Sequence, residues 1–217
     1  MSTITWSLRT GREGSGSYNR FSCMGRTFLP APDLRRKFRN AAKTPPLGMQ
    51  AVTDLTPYVD EVYPLYLQVY ERSKLRFEKL TKEYLRRIGA ERPEKARFFI
   101  WRQEGRPVAF SVCALHDNAL WDEYIGMDYG VALDLHLYFL TFRDLINWCC
   151  KQGLKRYYST ALGYDPKLHL KCRLAPIDLY VRHTSPLINQ VFRRVLKFLE
   201  PTRGDPVLKK FPNASEL

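Results

Sequence analysis

The chain has 217 residues and a formal net charge of +13, a surplus that favours a polyanionic partner such as nucleic acid, anionic lipid or a phosphate-rich cofactor. A hydrophobic fraction of 45% supports one domain of ordinary size, and no apolar run approaches the roughly 20 residues of a membrane-spanning helix. The five cysteines show no metal-ligand spacing and the first residues lack a secretory signal, so a metal site is not expected and a cytoplasmic location is.

The N-terminal part of the chain is polar and then strongly basic. Residues 1–32 contain clustered glycines and serines and predict a flexible arm, either an expression remnant or a partly ordered segment. Asp33 is predicted to cap a basic helix over residues 33–44. Arg35 and Arg36 lie at the start of this helix, whose charges predict either a solvated face or contact with a polyanion such as tRNA or an anionic membrane surface.

The next elements alternate helical and strand patterns. GMQAVTDL predicts a strand, PYVDEVYPLYLQVYERS a helix that Pro64 kinks or splits, and LTKEYLRRIGAE a second helix. ARFFIW and RPVAFSVCAL then predict two strands joined by a hairpin at Glu104 and Gly105, and LWDEYIGMDYG predicts a third. These three strands form an antiparallel meander.

The C-terminal half continues with helices and strands in turn. LHLYFLTFRDLINWCCKQG predicts a helix that ends at Gly153, and LKRYYSTA predicts a strand. DPKLHLKCRL predicts a short helix, APIDLYVRH a strand, and Pro186 opens a last amphipathic helix, followed by a tail over residues 201–217. This order predicts an α/β (α+β) fold over residues 45–200, with a mixed, mostly antiparallel sheet flanked by helices.

Across residues 47–199 this order resembles the GNAT superfamily of acyltransferases. The passages RRKFRNAAK, LDLHLYFLTFRDLINWCCKQGLKRYYST and GYDPKLHLKCRLAPIDLYVRH resemble those of Fem-type aminoacyl transferases and related bacterial N-acyltransferases. The resemblance implies transfer of an acyl or aminoacyl group to an amine. It also implies that Lys167 meets phosphate or a substrate carboxylate. Fem-type enzymes carry two such domains, so this single domain is predicted to be half of a homodimer, a stand-alone transferase or a degenerate relative.

The loop before the long helix departs from the type that binds acetyl-CoA. Acetyl-CoA users of the superfamily carry Arg/Gln-x-x-Gly-x-Gly/Ala there, and the N–H groups of this loop and of the following helix hold the pyrophosphate. This chain has DYGVALD over residues 128–134, with one glycine and two aspartates that repel phosphate. An acyl-CoA donor is therefore in question, and we predict that acetyl-CoA binds weakly or not at all. His136, in the first turn of the helix, is predicted to face the donor.

Acyl transfer to an amine needs a base for the amine proton, and carboxylates on the third meander strand are the candidates. Strand alternation predicts that Asp122, Tyr124 and Asp128 share one face and that Glu123 lies on the other. Asp128, at the end of the strand, is the base predicted first, with Glu123 as the alternative. Tyr124 is predicted to contact donor or substrate. For each carboxylate, the competing interpretation is a solvated side chain.

The reaction also needs an acid for the leaving group. Tyr164, between the strand LKRYYSTA and the short helix, is the predicted acid. Cys172 is the alternative, because the neighbouring Lys171 and Arg173 would lower its thiol pKa. Two functions follow: an N-acyltransferase that works by direct attack without metal or covalent intermediate, or a non-catalytic module of the same fold that binds RNA, lipid or a partner protein. The carboxylates favour the enzyme, and the phosphate-repelling loop favours the binding module.

Overall fold

The computed structural model of the protein describes residues 16–22, 32–42, 44–73, 76, 78–159, 163–177, 185–195 and 206–214. The chain divides into two compact units, a larger one over Ser22–Thr160 and a smaller one that combines Met1–Phe21 with Ala161–Leu217.

The larger unit is built on five strands in the order β2-β3-β4-β5-β6. Their bounds are β2 Leu47–Val52, β3 Ala96–Gln103, β4 Arg106–His116, β5 Ala119–Met127 and β6 Arg156–Ser159. The first three neighbouring pairs are antiparallel, and β5 and β6 are parallel. The prediction of a mixed, mostly antiparallel sheet flanked by helices is confirmed.

This sheet is flanked by α2 Val59–Arg72, α3 Lys82–Glu91 and α4 Leu137–Lys151, and α1 Pro32–Ala41 contacts α4. One sheet face packs against α2 and α3, where Val62 and Leu85 join Phe98 and Phe110 in a buried apolar core. Alternation sends Phe99 to the opposite face, where its ring meets the edge of Trp148 on α4 at 5.0 Å. The two helical layers thus cover opposite faces of the sheet.

The predicted hairpin turn and the predicted end of the long helix are both present in the structure. Glu104 and Gly105 both have positive φ, 51° and 82°, as the predicted two-residue hairpin requires. Gly153, with φ 72°, follows α4 as predicted, and the Leu154 N–H donates to the Cys149 carbonyl at 2.9 Å. A glycine in this conformation lets the chain turn back and satisfy carbonyls at the helix end.

Two helix predictions need correction. Asp33 does not cap α1, because the helix already includes Pro32; the fixed φ of proline suits the first helical turn. Pro64 does not split α2, which is continuous from Val59 to Arg72. Tertiary packing supplies the stability here, since Val62, Leu65 and Tyr66 around the proline are all buried.

Close approach of α2 to β5 depends on a glycine. A Cβ added at Gly126 would lie 2.7 Å from the backbone nitrogen of Tyr66, and it would overlap the ring of Phe110. Because neither a helix backbone nor a buried ring can move without loss of packing, only glycine fits at this position. Gly126 therefore fixes α2 against the strand that carries the predicted carboxylates.

The smaller unit contains an antiparallel pair, β1 Gly16–Ser22 with β7 Arg173–Ile177, in the register Gly16↔Ile177 to Arg20↔Arg173. Within the arm predicted for residues 1–32 as flexible or partly ordered, residues 16–22 form a strand, because backbone pairing orders a segment whose composition suggests a linker. The strand predicted over 175–183 begins earlier, at Arg173, and residues 178–183 lie outside the described part.

Two helices belong to the smaller unit, α5 Tyr164–His169 and α6 Pro186–Val195, which begins at the predicted proline. Residues 206–214, within the predicted tail, are packed. The Asn213 amide donates to the Leu174 carbonyl at 2.9 Å and accepts from the Leu174 N–H at 3.0 Å. Phe211 is buried and meets the Tyr164 ring edge-on. A side-chain amide that satisfies both backbone groups of one residue explains why a segment without periodicity is ordered.

Candidate active site

A β-bulge interrupts the pairing of β4 and β5. Val112 pairs with Tyr124 and Cys113 pairs with Asp122, so Glu123 is the extra residue with no partner on β4. A bulge bends the strand and re-aims side chains. The predicted alternation is therefore wrong: Tyr124 packs against the core between the sheet and α2 and α3, whereas Asp122 bonds to Tyr157, whose ring meets Phe142 of α4 on the opposite side.

Glu123 is a half-buried carboxyl in an unfavourable electrostatic setting. Burial, the nearby charge of Asp122 and the charge of Glu78 together raise its pKa from the ordinary 4.5 to about 7. All three effects act in the same direction, because each makes the ionised carboxylate less stable than the neutral acid. A carboxyl that titrates near neutrality can take a proton in one step and release it in the next.

Three further side chains surround this carboxyl on the side of α2 and α3. Tyr124 donates its hydroxyl hydrogen to Glu78 Oε1, and burial raises the pKa of the Tyr124 phenol. Burial also raises the pKa of Tyr84 on α3, with a contribution from the Glu123 charge. We call Glu78, Tyr84, Glu123 and Tyr124 the bulge cluster. It combines two carboxyls with two phenols that stay protonated at neutral pH.

The bulge lies where pairing between the two parallel strands stops. In the described part of the chain, β6 pairs with β5 only from Ala119↔Arg156 to Asp122↔Ser159. Glu123 is the first residue of β5 beyond that register, and β5 continues to Met127. β5 and β6 are thus parallel neighbours whose described pairing ends directly before Glu123.

Asp128, the base predicted first from the sequence, stabilises the turn after β5. It is buried and forms an ion pair with Arg106, and its Oδ1 accepts the N–H of Gly130 at 2.9 Å. Its backbone carbonyl accepts the N–H groups of Val131 at 3.1 Å and Ala132 at 2.9 Å. These contacts are typical of a carboxylate that closes a turn.

The loop that follows β5 has most of its N–H groups engaged. Besides the three bonds to Asp128, the N–H of Tyr129 donates to Gln68 Oε1 of α2 at 3.0 Å, and Arg72 stacks on the Tyr129 ring at 4.4 Å. An anion cradle needs backbone N–H groups that point at the ligand. Here the protein's own oxygen atoms occupy the donors of residues 129 to 132.

The remaining candidates of the larger unit lie on α1 or directly before α4. His136 precedes α4 with φ 51°, and its half-buried side chain makes no capping hydrogen bond. Arg35 and Arg36 are exposed on α1, which contacts α4 through Lys37, 3.8 Å above the Phe139 ring. Donor binding by His136 and polyanion binding by Arg35 and Arg36 stay predictions.

Tyr164, Lys167 and Cys172 all belong to the smaller unit, where each is buried. Burial raises the pKa of the Cys172 thiol to about 12, although the nearby Lys167 lowers it slightly. The prediction that Lys171 and Arg173 would activate this thiol is therefore wrong, because desolvation outweighs the neighbouring charge. The roles predicted for Tyr164 and Lys167 stay predictions.

Sequence reasoning missed Glu78 and the buried partners of Asp122. Glu78 lies between α2 and α3, and nothing in its local sequence marks it. No group of three or more His, Cys, Asp or Glu side chains in the described residues could hold a metal ion. Within the same ranges, no helix has the length and apolar character to cross a bilayer.

Several solved structures have a similar fold, among them three longer chains. The C-terminal domain (DUF2156) of a proposed lysylphosphatidylglycerol synthetase from Agrobacterium fabrum has a TM-score of 0.55 and 12% identity, and the match covers 82% of this chain and 64% of that one. L-PGS from Bacillus licheniformis has a TM-score of 0.55, 12% identity and coverages of 85% and 65%. FemX has a TM-score of 0.59, 9% identity and coverages of 81% and 63%.

This chain thus spans less than two thirds of the length of those three proteins. No protein of curated function matches it by sequence. The family model described as an acetyltransferase (GNAT) domain matches residues 32–168, more than half of the chain. With the mixed sheet and the resemblance in element order, this match shows that the chain belongs to the GNAT acetyltransferase family.

Proposed function

We propose that this chain is an N-acyltransferase in which Glu123 accepts the proton of the attacking amine. The observation that carries the proposal is a half-buried carboxyl on a strand bulge, at the end of the β5–β6 register, with a pKa raised to about 7. A general base works best when its pKa lies near the working pH. Perturbed carboxyls of this kind concentrate at functional sites.

Glu123 is a better base than Asp128 because their partners have opposite charge. The Asp128 carboxyl is already engaged by the Arg106 guanidinium and the Gly130 N–H, which hold it in the turn. Glu123 has the negative charges of Asp122 and Glu78 nearby, which favour uptake of a proton. We therefore assign Asp128 to the turn and Glu123 to the proton transfer.

The reaction is written as direct attack. The amine nitrogen attacks the carbonyl carbon of a thioester or ester, a C–N bond forms, and the C–S or C–O bond breaks. The amine proton passes to the Glu123 carboxylate. The leaving thiolate or alkoxide takes up a proton from an acid, for which Tyr164 stays the sequence-based prediction. The Tyr124 hydroxyl donates to Glu78, and the contact of Tyr124 with donor or substrate stays a prediction.

The donor is an acyl or aminoacyl ester or thioester. The engaged N–H groups of the loop after β5 support the prediction that acetyl-CoA binds weakly or not at all. Calorimetry at physiological salt that gave a low-micromolar dissociation constant, about −8 kcal/mol, would contradict it. The sequence resemblance to Fem-type aminoacyl transferases implies an aminoacyl group, so aminoacyl-tRNA belongs among the donors to test.

The exposed arginines of α1 support a polyanionic partner, either tRNA or an anionic surface. Arg35, Arg36 and Arg39 are exposed, and cationic helix faces bind polyanions with a strong dependence on salt. A homodimer and a cytoplasmic location stay predictions. A binding module without catalysis would explain these arginines but not the destabilised carboxyl at Glu123.

The test is a transfer assay on the full chain with a matched pair of variants. Acetyl-CoA, longer acyl-CoAs and charged tRNAs are offered with a panel of amines, and amide products are detected by mass spectrometry. We expect wild type and Asp128→Asn to form a product that Glu123→Gln does not. Thermal shift with the same donor should show that Glu123→Gln still binds it. Equal product from Glu123→Gln and wild type would refute the assignment, and donor binding without any product would favour the binding module.

A further inference from the structure

Asp122 is a buried carboxyl that takes up no proton in the proposed reaction. Its exposed fraction is 7%, and that of Tyr157 is 0%. The Tyr157 hydroxyl donates to Asp122 Oδ2 at 2.7 Å, and the Cys113 thiol lies 3.5 Å from Oδ1. Burial of a carboxylate costs free energy unless hydrogen bonds satisfy its oxygen atoms. The presence of Asp122 inside the sheet, beside the bulge, therefore calls for an explanation.

The two hydrogen-bond donors to Asp122 stay protonated across neutral pH. Burial raises the pKa of the Cys113 thiol and of the Tyr157 phenol well above their ordinary values, and the Asp122 charge adds to both shifts. Both groups therefore keep their hydrogen atoms and act as donors. They come from β4 and β6, the two strands that pair with β5 at this point, so the carboxylate is anchored from both sides.

The bulge makes this anchor relevant to Glu123. Asp122 is the last residue of β5 to pair with β4 before the extra residue. Its side chain points to the α4 side of the sheet, whereas the bulge cluster lies on the side of α2 and α3. We propose that Asp122 is a positioning residue for the acyl transfer: Tyr157 and Cys113 anchor its carboxyl, which pins the bulge and places the charge of Asp122 behind Glu123. The inference rests on the proposed function only in taking Glu123 as the base.

Other groups also interact with Glu123, and their effects on its pKa must be distinguished from the effect of Asp122. The Glu78 carboxyl lies between α2 and α3, the Tyr84 phenol on α3 and the Tyr124 phenol on β5, and each interacts electrostatically with Glu123. The charge of Glu123 also contributes to the raised pKa of the Cys113 thiol on β4. Among the charged neighbours, Asp122 acts on the Glu123 pKa more strongly than Glu78 does. Glu78→Gln is therefore a matched control that removes one negative charge from the same carboxyl.

The experiment is a carbon-13 NMR titration of side-chain carboxyls in the full-length, glutamate-labelled protein. The Glu123 signal is the one that disappears in Glu123→Gln. We expect Asp122→Asn, which keeps the shape of the side chain, to move the Glu123 midpoint to lower pH, and Glu78→Gln to move it by less. An unchanged midpoint in Asp122→Asn, or an equal or larger shift in Glu78→Gln, would overturn the proposal.

A second measurement covers the case in which Asp122→Asn does not fold. In aspartate-labelled wild type, the Asp122 signal should show an inflection at the Glu123 midpoint, because coupled carboxyls report on each other. That inflection should vanish in Glu123→Gln, and its absence from wild type would overturn the proposal. The titration needs no substrate. If it succeeds while no transfer is found, the proposed function fails alone; if transfer depends on Glu123 but the titration fails, the positioning role fails alone.

Discussion

Glu123 and Asp128 lie five residues apart, about 16 Å along an extended strand, and their carboxyls meet opposite surroundings. Glu123 sits on the bulge of β5, half-buried, beside the carboxyls of Asp122 and Glu78. Asp128 sits in the turn after the strand, beside the Arg106 guanidinium and the Gly130 N–H. The comparison teaches that position on a strand does not decide the chemistry of a carboxyl. Its partners do: at the bulge they favour the neutral acid, and in the turn they hold the carboxyl in place.

The largest expected difference between the two sites is in catalysis. Glu123→Gln should lower kcat/KM for acyl transfer by about 10²- to 10⁴-fold, the usual contribution of a general base. Asp128→Asn should keep most of the activity, because its amide oxygen can still accept the Gly130 N–H. Steady-state rates on any amine that gives a product would measure both. If Asp128→Asn were the more damaged variant, the two roles would have to be exchanged.

Glu123→Gln should also stabilise the protein, in a manner that depends on pH. The folded-state pKa of about 7 lies above the ordinary 4.5, so the native state holds this proton more tightly than the unfolded state. Stability is therefore lost as pH rises from about 4.5 through 7, by up to about 3 kcal/mol. Urea unfolding should show the variant more stable than wild type at pH 8 and equal to it at pH 4.5. Equal stability at both values would contradict the raised pKa.

Removal of the Asp128 carboxylate from the turn should destabilise the protein, in contrast to Glu123→Gln. Asp128→Ala leaves the Gly130 N–H without its acceptor, and we expect a loss of about 1 to 2 kcal/mol, measured by urea unfolding at neutral pH. Arg106→Ala is the control. The Arg106 side chain is 72% exposed, so loss of that ion pair should cost less than about 1 kcal/mol. A stabilised Asp128→Ala would mean that this carboxyl, too, is held in an unfavourable setting.

The smallest effect on stability is expected far from both carboxyls, on α1. Replacement of Arg35, Arg36 and Arg39 by alanine should leave the melting temperature nearly unchanged, because all three are exposed. Binding to tRNA or anionic vesicles should weaken and lose part of its salt dependence. Lys37→Ala is the comparison variant. Because Lys37 packs over Phe139, this substitution should lower the free energy of unfolding by about 0.5 to 1 kcal/mol. Unchanged binding by the triple variant would remove the support for a polyanionic partner.

Local patterns predicted most of the sheet and helices but not the details that separate the two carboxyls. The hairpin at Glu104 and Gly105 and the helix stop at Gly153 follow from residue types that tolerate positive φ. A bulge depends on how two strands pair, so the pattern of β5 alone placed Asp122 and Tyr124 on the same face. Glu78 reaches Tyr124 across 46 residues, a contact that no local pattern encodes.

Two other differences have the same origin in long-range contacts. Residues 16–22 look like a linker by composition, and only the partner strand Arg173–Ile177 makes them a strand. Lys171 and Arg173 beside Cys172 suggested an activated thiol, but burial, which sequence does not report, raises that pKa to about 12.

The pKa of the Glu123 carboxyl in the wild-type protein tests the central claim most directly. Carbon-13 NMR of the glutamate-labelled chain from pH 3 to 9 yields this value without a substrate, and Glu123→Gln identifies the signal. The account predicts a midpoint near 7, raised by burial and by the charges of Asp122 and Glu78. A midpoint near the ordinary 4.5 would contradict it, because the bulge would then carry an ordinary ionised carboxylate with no advantage over Asp128 as a base.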